Sequence, residues 1–267
     1  MIVEFVGCTG AGKTTLINEV QCRLAEADRV TTSYDLVAAP LGLTGVSSRM
    51  VRNFIQEFAV MPTFMRTLFK NKAVIAFTLR MLKRQANLPL YTINNLRCVE
   101  RSLGVYEKIK RHTHDRIILV DEGTVHLAHK VFVFNDAFYA SEEILKFANL
   151  IPVPDLVVYL RAPIETLIQR TVQRSDPPRE IRENRLRTEV YIHRAVAMFE
   201  RVIQAENISS RLLVVDNPDF TDEELQRAAD DVAWSILNTK SSNKLTHPAS
   251  LRKLWKNCLK LENSLKN

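Results

Sequence analysis

The stretch Gly7-Cys8-Thr9-Gly10-Ala11-Gly12-Lys13-Thr14 has the spacing GxxxxGK[ST] and stands between two regular segments. Ahead of it, Ile2-Val3-Glu4-Phe5-Val6 is a short, mostly apolar run of the kind that forms a buried strand. Behind it, Leu16, Ile17, Val20, Leu24 and Ala27 recur at helical spacing. Strand, glycine-rich turn and helix give the motif physical meaning. The N–H groups of the turn and the positive end of the helix converge where a polyphosphate can sit. Three of the chain's seven glycines fall inside this loop, which speaks against a chance match. Gly7, Cys8, Thr9, Gly10, Ala11, Gly12, Lys13, Thr14 and Thr15 are therefore expected to hold a nucleoside triphosphate. Lys13 would reach the outer phosphates, and the Thr14 hydroxyl would ligate Mg²⁺. The loop alone does not separate kinases, GTPases and ATPases.

A chain of 267 residues suits one large α/β domain, or one domain with an elaborate insert. No apolar run is long enough to span a bilayer. The first strand occupies the place of a secretory signal, so a soluble cytoplasmic protein is expected. Cys8, Cys22, Cys98 and Cys258 stand far apart, without a CxxC pair, which argues against structural zinc and a disulfide framework. The net charge of +7 is compatible with nucleic acid and equally with phosphate chemistry. Nucleic acid stays open through the basic tail, which carries Lys240, Lys244, Arg252, Lys253, Lys256 and Lys260. A homodimer is compatible with the sequence.

Further strands are expected at Val30–Ser33, Ile117–Val120, Leu156–Leu160 and Leu212–Val215, with helical patterns between them. This alternation predicts an α/β fold with a mostly parallel five-stranded sheet. Residues 41–111 contain no comparable strand and read as several helices broken near Pro62 and Pro89. Thr221 and Glu224 form a capping-box pattern ahead of a last amphipathic helix. The polar run 239–244 then reads as a linker, followed by a short amphipathic helix through Leu251, Leu254, Trp255, Cys258 and Leu261. The chain divides accordingly into a domain at 1–238 and a basic extension at 239–267.

Ile117-Ile118-Leu119-Val120-Asp121-Glu122 is an apolar strand ending in two carboxylates. In a phosphate-loop protein, an acid at the end of a neighbouring strand holds Mg²⁺, so Asp121 is the candidate and Glu122 stands next to it. His126 and His129 lie one helical turn apart, so a metal pair is conceivable, but surface or packing histidines are the expected reading. Arg170, Arg174 and Arg179 fall in and after the helix that follows the Leu156 strand, and Pro177-Pro178 breaks that helix. Such an arginine-bearing helix–turn–helix, about residues 170–187, suits a lid over a triphosphate, because guanidinium forks spread charge over phosphoryl oxygens. The same arginines suit a salt-bridged solvated face with Glu180, Glu183 and Glu189 equally well.

Loop, acid-ended strand, Pro154-Asp155-Leu156 strand with its arginine segment, and terminal Leu212–Asp216 strand together resemble the thymidylate kinase and deoxynucleoside kinase group. The resemblance implies a three-layer phosphate-loop NTPase fold, a helical acceptor region at about 41–111 and a lid closing over ATP. It implies phosphoryl transfer from ATP to a nucleoside or nucleotide. On it, Asp35 becomes a candidate base or acceptor ligand, Arg101 an acceptor contact and Arg97 its substitute. Arg170 and Arg174 take the lid positions, and Glu122 joins the acceptor side. The chain departs from the group in having Asp121-Glu122-Gly123 where an arginine follows the acid, and no glycine-rich turn after the second strand. A sugar is therefore an acceptor candidate too.

The competing class is an ATPase that drives a protein or nucleic-acid partner, with Asp121-Glu122 as a Walker B pair and Glu122 activating water. No LSGGQ or NKxD motif occurs in the sequence. A binding module that has lost catalysis is the third class, and the intact loop counts against it.

Overall fold

The computed structural model describes residues 1–25, 29–46, 48–84, 89–113, 116–133, 139–174, 185–217, 219 and 221–243. Five strands, β1 (Ile2–Gly7), β2 (Val30–Thr32), β3 (Ile117–Asp121), β4 (Leu156–Arg161) and β5 (Leu212–Asp216), form one sheet in the order β2-β3-β1-β4-β5. Every neighbouring pair is parallel. Parallel strands need crossovers, and helices supply them. These are α1 (Lys13–Ala25), α2 (Ser33–Ala38), α3 (Arg49–Thr67), α4 (Lys72–Lys83) and α5 (Pro89–Ile109) before β3. Beyond it come α6 (Leu127–Phe132), α7 (Ser141–Leu150), α8 (Ile164–Val172), α9 (Arg185–Val202), α10 (Glu206–Ser209) and α11 (Asp222–Asn243).

Helices cover both faces of the sheet, so its central strands are buried as near-continuous apolar runs. All six residues of β1 are buried. Ile2, Ile118 and Val120 pack against Val105, Tyr106 and Ile109 of α5. On another side α1 lies against α11, where the Arg23 guanidinium meets Asp230 at 2.6 Å. Strand order, glycine loop and flanking helices make this a three-layer phosphate-loop NTPase fold.

The strands fall where the sequence places them, with one small correction. Ser33 does not extend β2; it opens α2, because the Thr32 hydroxyl accepts the Asp35 backbone N–H at 3.1 Å and caps the helix. The capping box before α11 is present: Thr221 N donates to Glu224 Oε2 at 2.9 Å, and Glu224 N donates to Thr221 Oγ1 at 3.3 Å.

Two other expectations fail. Pro62 lies inside α3 and does not end it. Proline removes one helical donor, but Val60 beside it is fully buried and packs against Gly104 of α5, which holds the helix in place. The expected linker from Thr239 is helical as far as Asn243, because α11 continues through it. The amphipathic pattern at 251–261 and Arg179 lie outside the described residues.

Candidate active site

In a parallel sheet the carboxyl ends of all strands share one edge, and ligand sites form there. Strands β1 and β3 are neighbours, with Phe5 opposite Asp121. The loop leaving β1 and the acid ending β3 therefore emerge side by side. Asp121 is exposed, as are Thr14 and Thr15 in the first turn of α1.

The loop folds back on its own lysine. Lys13 Nζ donates to the Gly7 carbonyl at 2.9 Å and to the Cys8 carbonyl at 3.1 Å. Gly12 has a φ of 91°, which favours glycine, and a Cβ there would come 2.7 Å from Asn217 Nδ2. Asn217 is a site residue the sequence reading passes over. Its Nδ2 donates to the Ala11 carbonyl at 2.8 Å, and its backbone N donates to the Arg161 carbonyl at 2.7 Å. The signal was its position, immediately after β5.

The last turn of α8 closes the other side of the loop. Arg170 Nη1 donates to the Gly10 carbonyl at 3.2 Å, and Thr171 Oγ1 donates to the Thr9 carbonyl at 3.3 Å. Arg170 also pairs with Asp219 at 2.6 Å. Arg170 thus stands at the loop, whereas Arg174 is exposed one turn further on. Cys8 is buried, and desolvation pushes its thiol up to about 12, against the pull of Lys13. It stays protonated at neutral pH.

Beyond Asp121 a cleft opens between the sheet edge and α2, α3 and α5. Ser33, Gln56, Arg101, Ser102, Tyr106, Asp121, Glu122 and Glu4 line it. Arg101 and Glu122 are thereby brought together with Asp121, and Arg101 is held by Glu57 at 3.3 Å. Arg97 is not brought in. It lies half-exposed outside the lining and grips Glu57 Oε2 through Nε at 3.0 Å and Nη2 at 2.6 Å. That pairing raises its guanidinium pKa. Asp35 also stays outside the lining, and its Oδ2 accepts the Thr32 hydroxyl at 2.6 Å. Ser33 is what the β2 turn contributes instead.

Glu4 is the second residue the sequence reading misses, although it is the one charged side chain in the β1 run. Its carboxylate accepts the backbone N–H groups of His126 at 2.9 Å and Val125 at 3.2 Å, tying the loop after Asp121 to the central strand. Within that loop Glu122 adopts a φ of 57°, and its Oε1 lies 3.9 Å from His126 Nε2. His126 and His129 are buried and stacked at 5.1 Å, with Phe199 against both rings, so they pack as the sequence suggested. Burial, then His126, holds the His129 imidazole well below its ordinary pKa.

No family model matches the chain, and no curated protein matches it. Among solved structures it is similar to shikimate kinase from Acinetobacter baumannii in complex with shikimate, at 18% identity and a TM-score of 0.37. The match covers 92% of this chain and 95% of that one. The overlap is loose, and the assignment of a phosphate-loop NTPase fold stands on this chain's own strand order and loop.

Proposed function

We propose that the protein is an ATP-dependent small-molecule kinase of the cytoplasm. Its acceptor would be a hydroxyl or phosphate of a nucleoside, nucleotide or sugar, in keeping with the thymidylate and deoxynucleoside kinase resemblance. One observation carries the reading: Asp121 ends the strand beside the phosphate loop and also lines the cleft that holds Arg101 and Glu122. A donor phosphate on the loop and an acceptor in the cleft would meet at that carboxylate.

The exposed Thr14 hydroxyl and Asp121 carboxylate are hard oxygen donors of the type Mg²⁺ takes alongside phosphate oxygens and water. When bound, Mg²⁺ neutralises developing charge on the phosphates. Lys13 would exchange its two carbonyl partners for phosphate oxygens, and Arg170 would flank the loop. Arg101 would orient the acceptor. Glu122 would take the hydroxyl proton as the acceptor oxygen bonds to the γ-phosphorus and the bond to the leaving ADP oxygen breaks. Asp35, engaged in the α2 cap, is the weaker candidate for that proton.

A panel of nucleosides, nucleotides and sugars screened for acceptor-dependent ADP release tests the proposal. One acceptor class should raise ADP release at least tenfold over background, and Lys13→Ala should abolish the rise while its unfolding midpoint stays near wild type. Equal ADP release with and without every acceptor would point to the ATPase, and normal turnover by Lys13→Ala would sink both readings.

A further inference from the structure

Along α3, Met50, Phe54, Phe58, Met61 and Met65 recur at steps of four, four, three and four residues, which is one face of a helix. Phe69 continues the step just past its end. These side chains are 72, 54, 61, 45, 61 and 82% exposed in that order. The opposite side of α3 is committed, since Ile55, Val60 and Thr63 are buried. Single exposed apolar residues are ordinary on a protein surface, but a contiguous stripe marks an interaction site.

Charge narrows what can cover it. Between Asp35 and Glu100 the sequence holds nine lysines and arginines and a single carboxylate, Glu57. Glu57 is buried and bridged by Arg97 and Arg101. The segment's formal charge of +8 exceeds the +7 of the whole chain, so the remainder is close to neutral. Arg66, Lys72, Arg80 and Lys83 are exposed and make no ion pair among the described residues. Arg66 lies one turn before Phe69, on its side of the helix.

A second copy would bring the same charge against this one. The chain's own residues 244–267 carry six lysines and arginines and one glutamate, so they are repelled as well. An acidic protein helix satisfies the charge but needs a groove to lie in. Here most of the stripe is more than half exposed and projects from the surface. An anionic bilayer answers both features: apolar side chains enter the headgroup boundary while lysine and arginine meet lipid phosphates. No helix among the described residues is long and apolar enough to cross a membrane, so the contact is peripheral.

We propose that the exposed Met50–Phe69 face of α3, with Arg66 and Lys72 next to its Phe69 end, docks the protein on an anionic phospholipid surface. The inference does not depend on the kinase reading, and its test needs no turnover. The full chain is sedimented with vesicles of phosphatidylglycerol and phosphatidylcholine, or of phosphatidylcholine alone. Binding should need the anionic lipid, weaken with added salt and fall at least tenfold in Phe58→Ser/Phe69→Ser. Arg66→Glu/Lys72→Glu should lower it by a similar factor. Circular dichroism of both variants confirms that they are folded. Absence of binding by the wild-type chain overturns the proposal. So does binding that the Phe58→Ser/Phe69→Ser variant leaves unchanged, which would place it on the basic tail. A wild-type dimer that ignores vesicles and is dispersed by that variant would show that a second copy covers the face.

Discussion

Gly123 sits so close to Glu4 that a Cβ on it would stand 2.7 Å from Oε2 of that carboxylate and 2.9 Å from Val120 Cγ1. The glycine after Asp121-Glu122 is thus a packing requirement of the buried acid that anchors the loop. Gly123→Ala must push Glu4 or the loop aside, at a cost of about 1–3 kcal/mol typical of overpacking. Urea unfolding should show that loss. Glu4→Asp draws the carboxylate back, so a double-mutant cycle between the two sites should give a coupling of at least about 1 kcal/mol. Strict additivity would place the strain elsewhere.

Glu4 also makes stability depend on pH. Burial pushes its carboxyl from 4.5 up to about 7, outweighing the hydrogen bonds from His126, Val125 and Thr124 that pull it down. The folded state therefore holds this proton more tightly than the unfolded chain does. The stability it contributes is fully present below pH 4.5 and is lost as pH rises through 7, by roughly 3 kcal/mol in all. Glu4→Gln keeps the shape and removes the titration. Unfolding free energies of the two proteins at pH 4 and pH 8 should differ by that amount in their pH change, and parallel changes would refute the assignment.

The parts legible from sequence are those written in consecutive residues. Gly7–Thr14, the apolar strands, Asp121 and the Thr221–Glu224 cap all declare themselves within a few positions, because a turn, a strand period or a helix end is local. Glu4, Asn217 and Gly123 do not. Each acquires its role from a partner over a hundred residues away, as Asn217 does from Ala11. Asp35 and Arg97 stand outside the cleft lining for a reason the sequence does not carry: in the fold Thr32 and Glu57 engage them. Pro62 reads as a breaker because a local rule cannot weigh the packing of Val60 on α5.

Asn217 should matter to nucleotide binding more than an exposed loop residue would. Its Nδ2 donates to the Ala11 carbonyl and fills the space beside Gly12. Asn217→Ala leaves that carbonyl without its donor, a loss of about 1–3 kcal/mol for a buried group. Asn217→Asp is expected to be worse, since it sets an acceptor against the Ala11 carbonyl next to the proposed phosphate site. Titration with a fluorescent ATP analogue should rank affinities as wild type, then alanine, then aspartate. Equal affinities would show that the loop keeps its shape without this contact.

Cys8 offers a test of whether the loop thiol takes part in any chemistry. The thiolate is the reactive form, and burial holds Cys8 protonated up to about pH 12. Cys98 is buried too, whereas Cys22 on α1 is exposed. Under brief iodoacetamide treatment at pH 8, peptide mass spectrometry should find Cys22 alkylated well before Cys8 or Cys98. Urea should abolish the difference. Cys8→Ala, which keeps a small apolar group in the same buried place, should then retain ATP binding within about twofold, because in the proposed site the loop's backbone N–H groups, not the buried thiol, would meet the phosphates. Labelling of Cys8 as fast as Cys22, suppressed by ATP, would instead place an accessible thiolate at the phosphate site.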